Sequence, residues 1–452
     1  METVNKKLCI ISAPISTRSG YGARSRDFVR GLIISKPEWD IKILSQKWGQ
    51  TPMDALSVGK DDDLLNRVIT ERIDTKPDIW IQITVPNEFQ AIGRYNIGVT
   101  AGVETTIMPP SCMEGINRMN QVIVSSNFTK ELIENTIFDK RDEKTQQIVG
   151  QLKCETPISV LFEGIDLTIY NEKAASENRI NDVLSDVKES FAFLFVGHWL
   201  SGEFGHDRKN VSGLIYTFLE AFKNKQNPPA LILKTSGGSV SIVDRVRLKQ
   251  NIEIIKSQIS SKRLPPIYLL HSDLSDSEMN ALYNHPKVKA HLSFTKGEGF
   301  GRPLLEATIS GKPMIVSGWS GHMDFINPEF VNVIDGKLEN VHPSSANDFL
   351  MKEAQWFTID YSKAGGVMRD MVDNYKLYLE KSRKHRKWSK DNFSFDKMVQ
   401  KMSELFDETT MELEPKQVQL QLPKLQLPKL KKVGEQTNEP PKLKLPKLKK
   451  VQ

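Results

Sequence analysis

The sequence predicts an α/β protein of two doubly wound domains, each a mostly parallel sheet with helices on both faces. Three observations predict it. Short β-rich runs alternate with amphipathic helical stretches in both halves of the chain; a polar stretch at 171–190 interrupts the alternation before it resumes; and 452 residues exceed what one core usually holds, near ~250–300. The division expected is 1–185 for the first domain, 186–375 for the second, further helices at 376–410, and a Lys/Leu/Pro-rich disordered tail at 411–452.

The first series runs LCIISAP, ARSRDFVRGLIIS, DIKILS, DIWIQIT, YNIGVTA and QVIVSS, then FTKELIENTIF; the second opens at FAFLFVG and continues through ALILKT, PIYLLH, KAHLSFT and PMIVSG. Ser275 and Glu278 form a capping-box pattern before MNALY. A helix starting near Asp207 carries Val211, Leu214, Ile215, Phe218, Leu219 and Phe222 as one apolar stripe. After about residue 347 the pattern reads as mostly helical.

Composition places the chain among globular proteins, with 39% hydrophobic and 26% charged residues. Cys9, Cys112 and Cys154 are odd in number and have no metal-ligand spacing, which suits a reducing compartment. With no segment approaching the ~20 apolar residues of a bilayer span, a cytoplasmic location is expected, with peripheral membrane attachment as the alternative. The net charge of +6 hides an asymmetry: ten lysines against Glu435 and Glu439 give residues 416–452 a charge of +8, so the rest carries −2. PKLKKV occurs twice in that tail, and five prolines without aromatics predict an extended segment able to bind a polyanion or a protein partner.

Lys296 to Asp324 reads KGEGFGRPLLEATISGKPMIVSGWSGHMD. Glu298 follows a predicted strand, Gly299 and Gly301 let backbone approach a ligand, and Pro303 suits a helix start. The amides near Phe300 and Gly301, at the positive end of the helix dipole, favour a phosphate, and Glu306 can accept hydrogen bonds from a diol. The spacing of Glu298 and Glu306, with GFG after the first, resembles the E-x7-E signature of family 4 glycosyltransferases. That resemblance implies the GT-B fold, two Rossmann-like domains facing a cleft. It also implies retaining transfer from a nucleoside-diphosphate sugar; no metal requirement and no further cofactor are expected. It places Glu298 beside the donor sugar, Glu306 on the ribose, and the amides of Phe300 and Gly301 on the diphosphate.

Upstream, FVGHWLSGEFGHDRKNVSGLIYTFLEAF is similar to the family's strand, turn, lysine and helix, and Lys209 falls at the diphosphate-binding lysine. The family usually has Arg where this chain has His198, which shifts phosphate stabilisation toward Arg208 or the GEFGHD loop. Gly20 and Gly22 resemble the glycine loop that faces the donor from the first domain, and Glu104 is a further candidate for the cleft. Asp61-Asp62-Asp63 reads as a solvated loop or helix cap rather than a metal motif.

The acceptor is open. Arg18, Arg24, Arg26 and Arg30, the basic run 381–390 with Trp388, and the tail make a nucleic acid, an anionic membrane or a membrane-linked glycan the expected class. Two rivals share the fold: a binding protein that lost turnover and docks a partner through its tail, and an epimerase or phosphorylase.

Overall fold

Both expected sheets form, and each is parallel throughout. The computed structural model describes residues 6–70, 74–173 and 178–408, with Met411 and Leu413. The first half supplies β1 (Leu8–Ala13), β2 (Asp40–Ser45), β3 (Ile79–Ile83), β4 (Tyr95–Thr100) and β5 (Gln121–Val124), an antiparallel hairpin of β6 (Phe138–Arg141) and β7 (Ile148–Leu152), and β8 (Ile158–Val160). Its sheet order is β2-β1-β3-β4-β5-β8. The second half supplies β9 (Ala192–His198), β10 (Ala230–Ser236), β11 (Ile267–Leu270), β12 (Val288–Ser293), β13 (Met314–Ser317) and β14 (Asn332–Ile334), in the order β11-β10-β9-β12-β13-β14.

These strands read as nearly continuous apolar runs because helices cover both faces. In β9, Phe193 and Phe195 enter one buried cluster and Leu194 enters the other. Cys9 and Ile11 of β1 likewise oppose Ile10. The three cysteines are free thiols, Cys9 and Cys112 fully buried.

Helix starts follow the capping chemistry. Ser19 accepts from the Gly22 amide at 2.9 Å and opens the helix Gly20–Ser35. Both halves of the Ser275–Glu278 capping box are made. The stripe from Val211 to Phe222 is buried along its length, but the helix begins at Val211 rather than near Asp207. Asp207, itself buried, accepts from the Val211 amide and the Ser212 hydroxyl at 2.8 Å each, which leaves residues 207–210 as a turn.

Three arrangements differ from the sequence reading. Residues 355–359 form a strand: β15 (Gly336–Asn340) pairs antiparallel with β16 (Gln355–Ile359). Ile165, Tyr170, Ile180, Leu184 and Val187 pack against the second sheet, so a division at 185 falls inside that layer. The chain also returns to the first domain at its end. After the helix Tyr375–Phe393, Ser394 bridges Ile165, and Met398, Met402 and Phe406 of Phe395–Glu408 join Phe28 and Leu32 in the first core. Met411 and Leu413 pack against that core; the remainder of the expected tail lies outside the described residues.

In the second sheet the winding reverses between β9 and β12. At such a switch point the loops at the strands' carboxyl ends diverge and leave a crevice.

Candidate active site

Segments from both sheets' carboxyl ends enclose one cavity of about 480 Å³. Its second-domain side is built from β9, β10 and the segment after β12; its first-domain side from the loops after β1 and β4. The register aligns Val196 with Lys234 and His198 with Ser236, and alternate strand residues share a face, so all four line the cavity. His198 Nδ1 lies 3.1 Å from Ser236 Oγ. Enclosure in the crevice, with Lys209, Lys234 and Arg208 nearby, holds this imidazole below its ordinary pKa, so it stands neutral at pH 7.

The 207–210 turn brings two further cations. Lys209 Nζ is ion-paired with Glu298 Oε1. Arg208 Nη1 sits 2.9 Å from Glu104 Oε1 and donates to the Gly297 carbonyl at 3.2 Å. Burial alone would raise the Glu298 pKa, but Lys209 and Arg208 outweigh it and hold the carboxyl ionised. The Glu298 amide is fixed by the Ser320 hydroxyl at 2.9 Å. Each of these cations therefore already has a carboxylate. Lys234 is different: the half-buried ammonium makes no hydrogen bond or ion pair with any described residue, and burial lowers its pKa.

Gly301 takes φ 93° as the residue before the helix Arg302–Ile309, a conformation that requires glycine there. The Phe300 ring is buried on Phe325, with centroids 5.0 Å apart, so what this residue offers a ligand is backbone. Gly299 lines the cavity, yet its lack of a side chain serves the domain contact. A Cβ there would lie 2.4 Å from the Ala101 carbonyl oxygen, and its own carbonyl accepts from Ser126 at 2.6 Å. Gly20 also lines the cavity. Gly22 does not, and a Cβ on it would sit 2.2 Å from the Thr17 carbonyl oxygen, so its size is set by packing.

Glu306 is not among the cavity-lining residues either. It is buried, accepting from the Tyr283 hydroxyl at 3.1 Å and from Arg302 Nε at 3.0 Å. Arg302 does line the cavity, and it also pairs with Asp27 and lies 3.7 Å from Glu163. Burial raises Glu306 to about 7 and raises Glu163 as well, against the opposing pull of the Arg302 guanidinium. The protonated form of Glu306 therefore contributes stability that is complete below the ordinary carboxyl range and is lost as pH rises through about 7. Glu306→Gln should remove that loss, worth roughly 3 kcal/mol at most. Melting temperatures between about pH 4.5 and 7 should fall less steeply in the variant than in the wild type; parallel curves in that window would contradict the assignment.

The expected basic acceptor surfaces are mostly consumed inside the fold. Arg24 is buried, donating to the Leu161 and Phe162 carbonyls, and Arg26 donates to those of Ile15 and Thr17. Arg30 pairs with Asp61 and Asp63, which explains the acidic triplet, and Arg18 pairs with Asp54 at the cavity rim. In the 381–390 run Trp388 packs into the second core and stacks on buried His385, so that ring is not free to stack on a base.

The sequence matches no protein-family model and no curated protein. Solved structures do resemble the fold. A glycosyltransferase from Rickettsia africae ESF-5 aligns with a TM-score of 0.57 at 14% identity, over 89% of this chain and 98% of that one. HepE of Anabaena, in complex with UDP and glucose, aligns with a TM-score of 0.57 at 10% identity, over 89% and 100%. Sucrose-phosphate synthase from Thermosynechococcus elongatus gives 0.56 at 10% identity, over 89% and 98%. The fold is GT-B.

Within the GT-B cleft, Glu298, Lys209, Arg208, His198, Glu104, Gly299, Phe300, Gly301 and Gly20 come together around one cavity. Sequence reasoning missed Lys234, Ser236 and His322. A lysine inside the apolar strand ALILKT was the available signal, since charge in a strand covered on both faces needs a reason. His322 is buried, with Nε2 2.7 Å from the Ser317 carbonyl oxygen, and its Cβ lies 3.0 Å from where a Gly301 Cβ would be. It shapes the turn that carries Glu298 and Gly301.

Proposed function

We propose that this chain is a retaining glycosyltransferase that moves a sugar from a nucleoside-diphosphate sugar to an acceptor hydroxyl. One observation carries the reading: an ionised carboxylate, two lysines and a helix N-terminus converge on the switch-point cavity of a GT-B fold. Transfer breaks the bond between the anomeric carbon and the diphosphate oxygen and forms one to the acceptor oxygen, whose proton leaves with the diphosphate. Such a transition state gathers negative charge on the phosphates and positive charge on the sugar ring. Lys234, Lys209 and the amides beside Gly301 answer the first; Glu298 answers the second.

Lys234 has the leading part on the phosphate side, because Lys209 and Arg208 are already paired with Glu298 and Glu104. Glu306 acts through Arg302, holding its guanidinium at the cavity wall rather than reaching the ribose directly. The acceptor enters from the first domain, where Trp48 stacks on Tyr21 with ring centroids 4.1 Å apart and offers a flat wall suited to a sugar ring.

UDP-sugars are the first donors to test, since HepE is solved with UDP and glucose. Incubation with a panel of nucleotide sugars should release nucleoside diphosphate from at least one donor, and the release should slow by about 10²–10³-fold in Glu298→Gln. Neither binding nor release with any donor would end the enzymatic reading.

A further inference from the structure

A second cavity, of about 500 Å³, lies outside the cleft and is lined by the second domain alone. The helix Val211–Phe222 gives it Gly213, Tyr216 and Thr217, which recur at i, i+3 and i+4 and so share one side of the helix. The loop before that helix gives Phe204 and His206, and the β15–β16 hairpin gives Lys337 and Glu339 with Thr358, Thr358 standing opposite Lys337 in the register. Phe204 meets Tyr216 edge to face, with ring centroids 5.6 Å apart, and Tyr361 adds a third aromatic side chain.

Two segments separate this cavity from the cleft. Phe204 and His206 face the second cavity while Arg208 and Lys209 of the same loop face the cleft; Lys296 faces the second cavity while Glu298 faces the cleft. The Lys296 amide donates to the Arg208 carbonyl at 2.9 Å and ties the two segments together.

Lys296 is the residue that asks for a ligand. It is 1% exposed, its ammonium donates to the Thr358 hydroxyl at 2.7 Å, and that ammonium lies 5.4 Å from the centre of the Trp356 ring. It makes no ion pair with any described residue. The other buried lysine among the described residues, Lys36, pairs with Asp407. The two carboxylates that act on Lys296 from a distance are engaged elsewhere: Glu339 pairs with Lys337 at 2.9 Å, and Asp207 accepts from the Val211 amide and the Ser212 hydroxyl. Burial lowers the Lys296 pKa to about 8 in spite of both, so the fold leaves this charge undercompensated.

The chemistry of the walls narrows the occupant. An ammonium has three N–H donors; one is spent on Thr358, and the two that remain suit a carboxylate. A phosphate dianion would keep net charge among aromatic walls and beside Glu339. Flat apolar walls with one convergent polar group favour a ring-bearing ligand.

We propose that this second cavity binds an aromatic carboxylate, its anionic group on Lys296 Nζ and its ring against Tyr216 and Phe204. The proposal stands apart from the donor chemistry, because none of these residues lines the cleft.

The test is calorimetric titration of the full chain with 2-naphthoate and, as the uncharged counterpart, 2-naphthamide. Naphthoate is expected to bind and the amide to bind about tenfold or more weakly, the range for losing a charge-assisted hydrogen bond. Lys296→Met should erase that preference, and Tyr216→Ala should weaken both compounds by removing a wall. Melting temperatures check that the variants fold, and Tyr216→Ala carries the test if Lys296→Met does not. Lys234→Ala, altered in the cleft alone, should bind naphthoate as the wild type does. Equal affinity for acid and amide, or wild-type affinity in Tyr216→Ala, would overturn the proposal. Naphthoate binding lost in Lys234→Ala would also overturn it, placing the anion in the cleft.

Discussion

Lys234→Ala should weaken binding of a nucleoside-diphosphate sugar by about ten- to a hundredfold, the range expected for losing one charge-assisted contact to phosphate. Lys209 gives its ammonium to Glu298 and Arg208 gives its guanidinium to Glu104, so neither brings net charge to an incoming anion. Lys234 does. Calorimetric titration of donor into wild type and variant measures the effect, and Lys234→Arg should retain most of the affinity. The sharper form uses the register between β9 and β10. His198 sits opposite Ser236, two residues from Lys234 on the same cavity face, so His198→Arg in the Lys234→Ala background should recover part of the lost affinity. A merely structural lysine would not be rescued from the neighbouring strand. Wild-type affinity in Lys234→Ala would return the phosphate to Lys209 and the helix amides.

Glu298→Gln should lower kcat by about 10²–10³-fold while leaving the donor KM unchanged or reduced. The asymmetry follows from the ion pair: glutamine keeps the shape, removes the charge proposed to face the sugar, and releases Lys209 from its carboxylate. Steady-state kinetics separates the two parameters. A raised KM with kcat intact would make Glu298 a ground-state ligand instead.

Much of the fold was legible because strands covered on both faces must be continuously apolar, and β1, β9 and β12 cannot be mistaken at that level. The caps at Ser19 and Ser275 were equally readable, being local chemistry. Long-range returns were not. Nothing in FDKMVQKMSELF announces that Met398 and Met402 belong under Gly31, nor does the polar stretch before Ala192 reveal that Ile180 and Leu184 face the second sheet. At the site, the motif located Glu298 and Gly301, which backbone position brings to the cavity wall. Residue type alone could not say that Glu306 is held by Arg302 and Tyr283, or that Arg24 and Arg26 spend their donors on carbonyls. Partners of that kind are chosen by tertiary structure. The smallness of Gly299, read as access for a ligand, is instead demanded by the first domain's backbone at Ala101.

A crystal structure of the chain with UDP bound tests the central claim most directly. The diphosphate should lie within hydrogen-bond distance of Lys234 Nζ and against the amide of Gly301. UDP seated elsewhere on the surface, with this cavity filled only by water, would contradict the account.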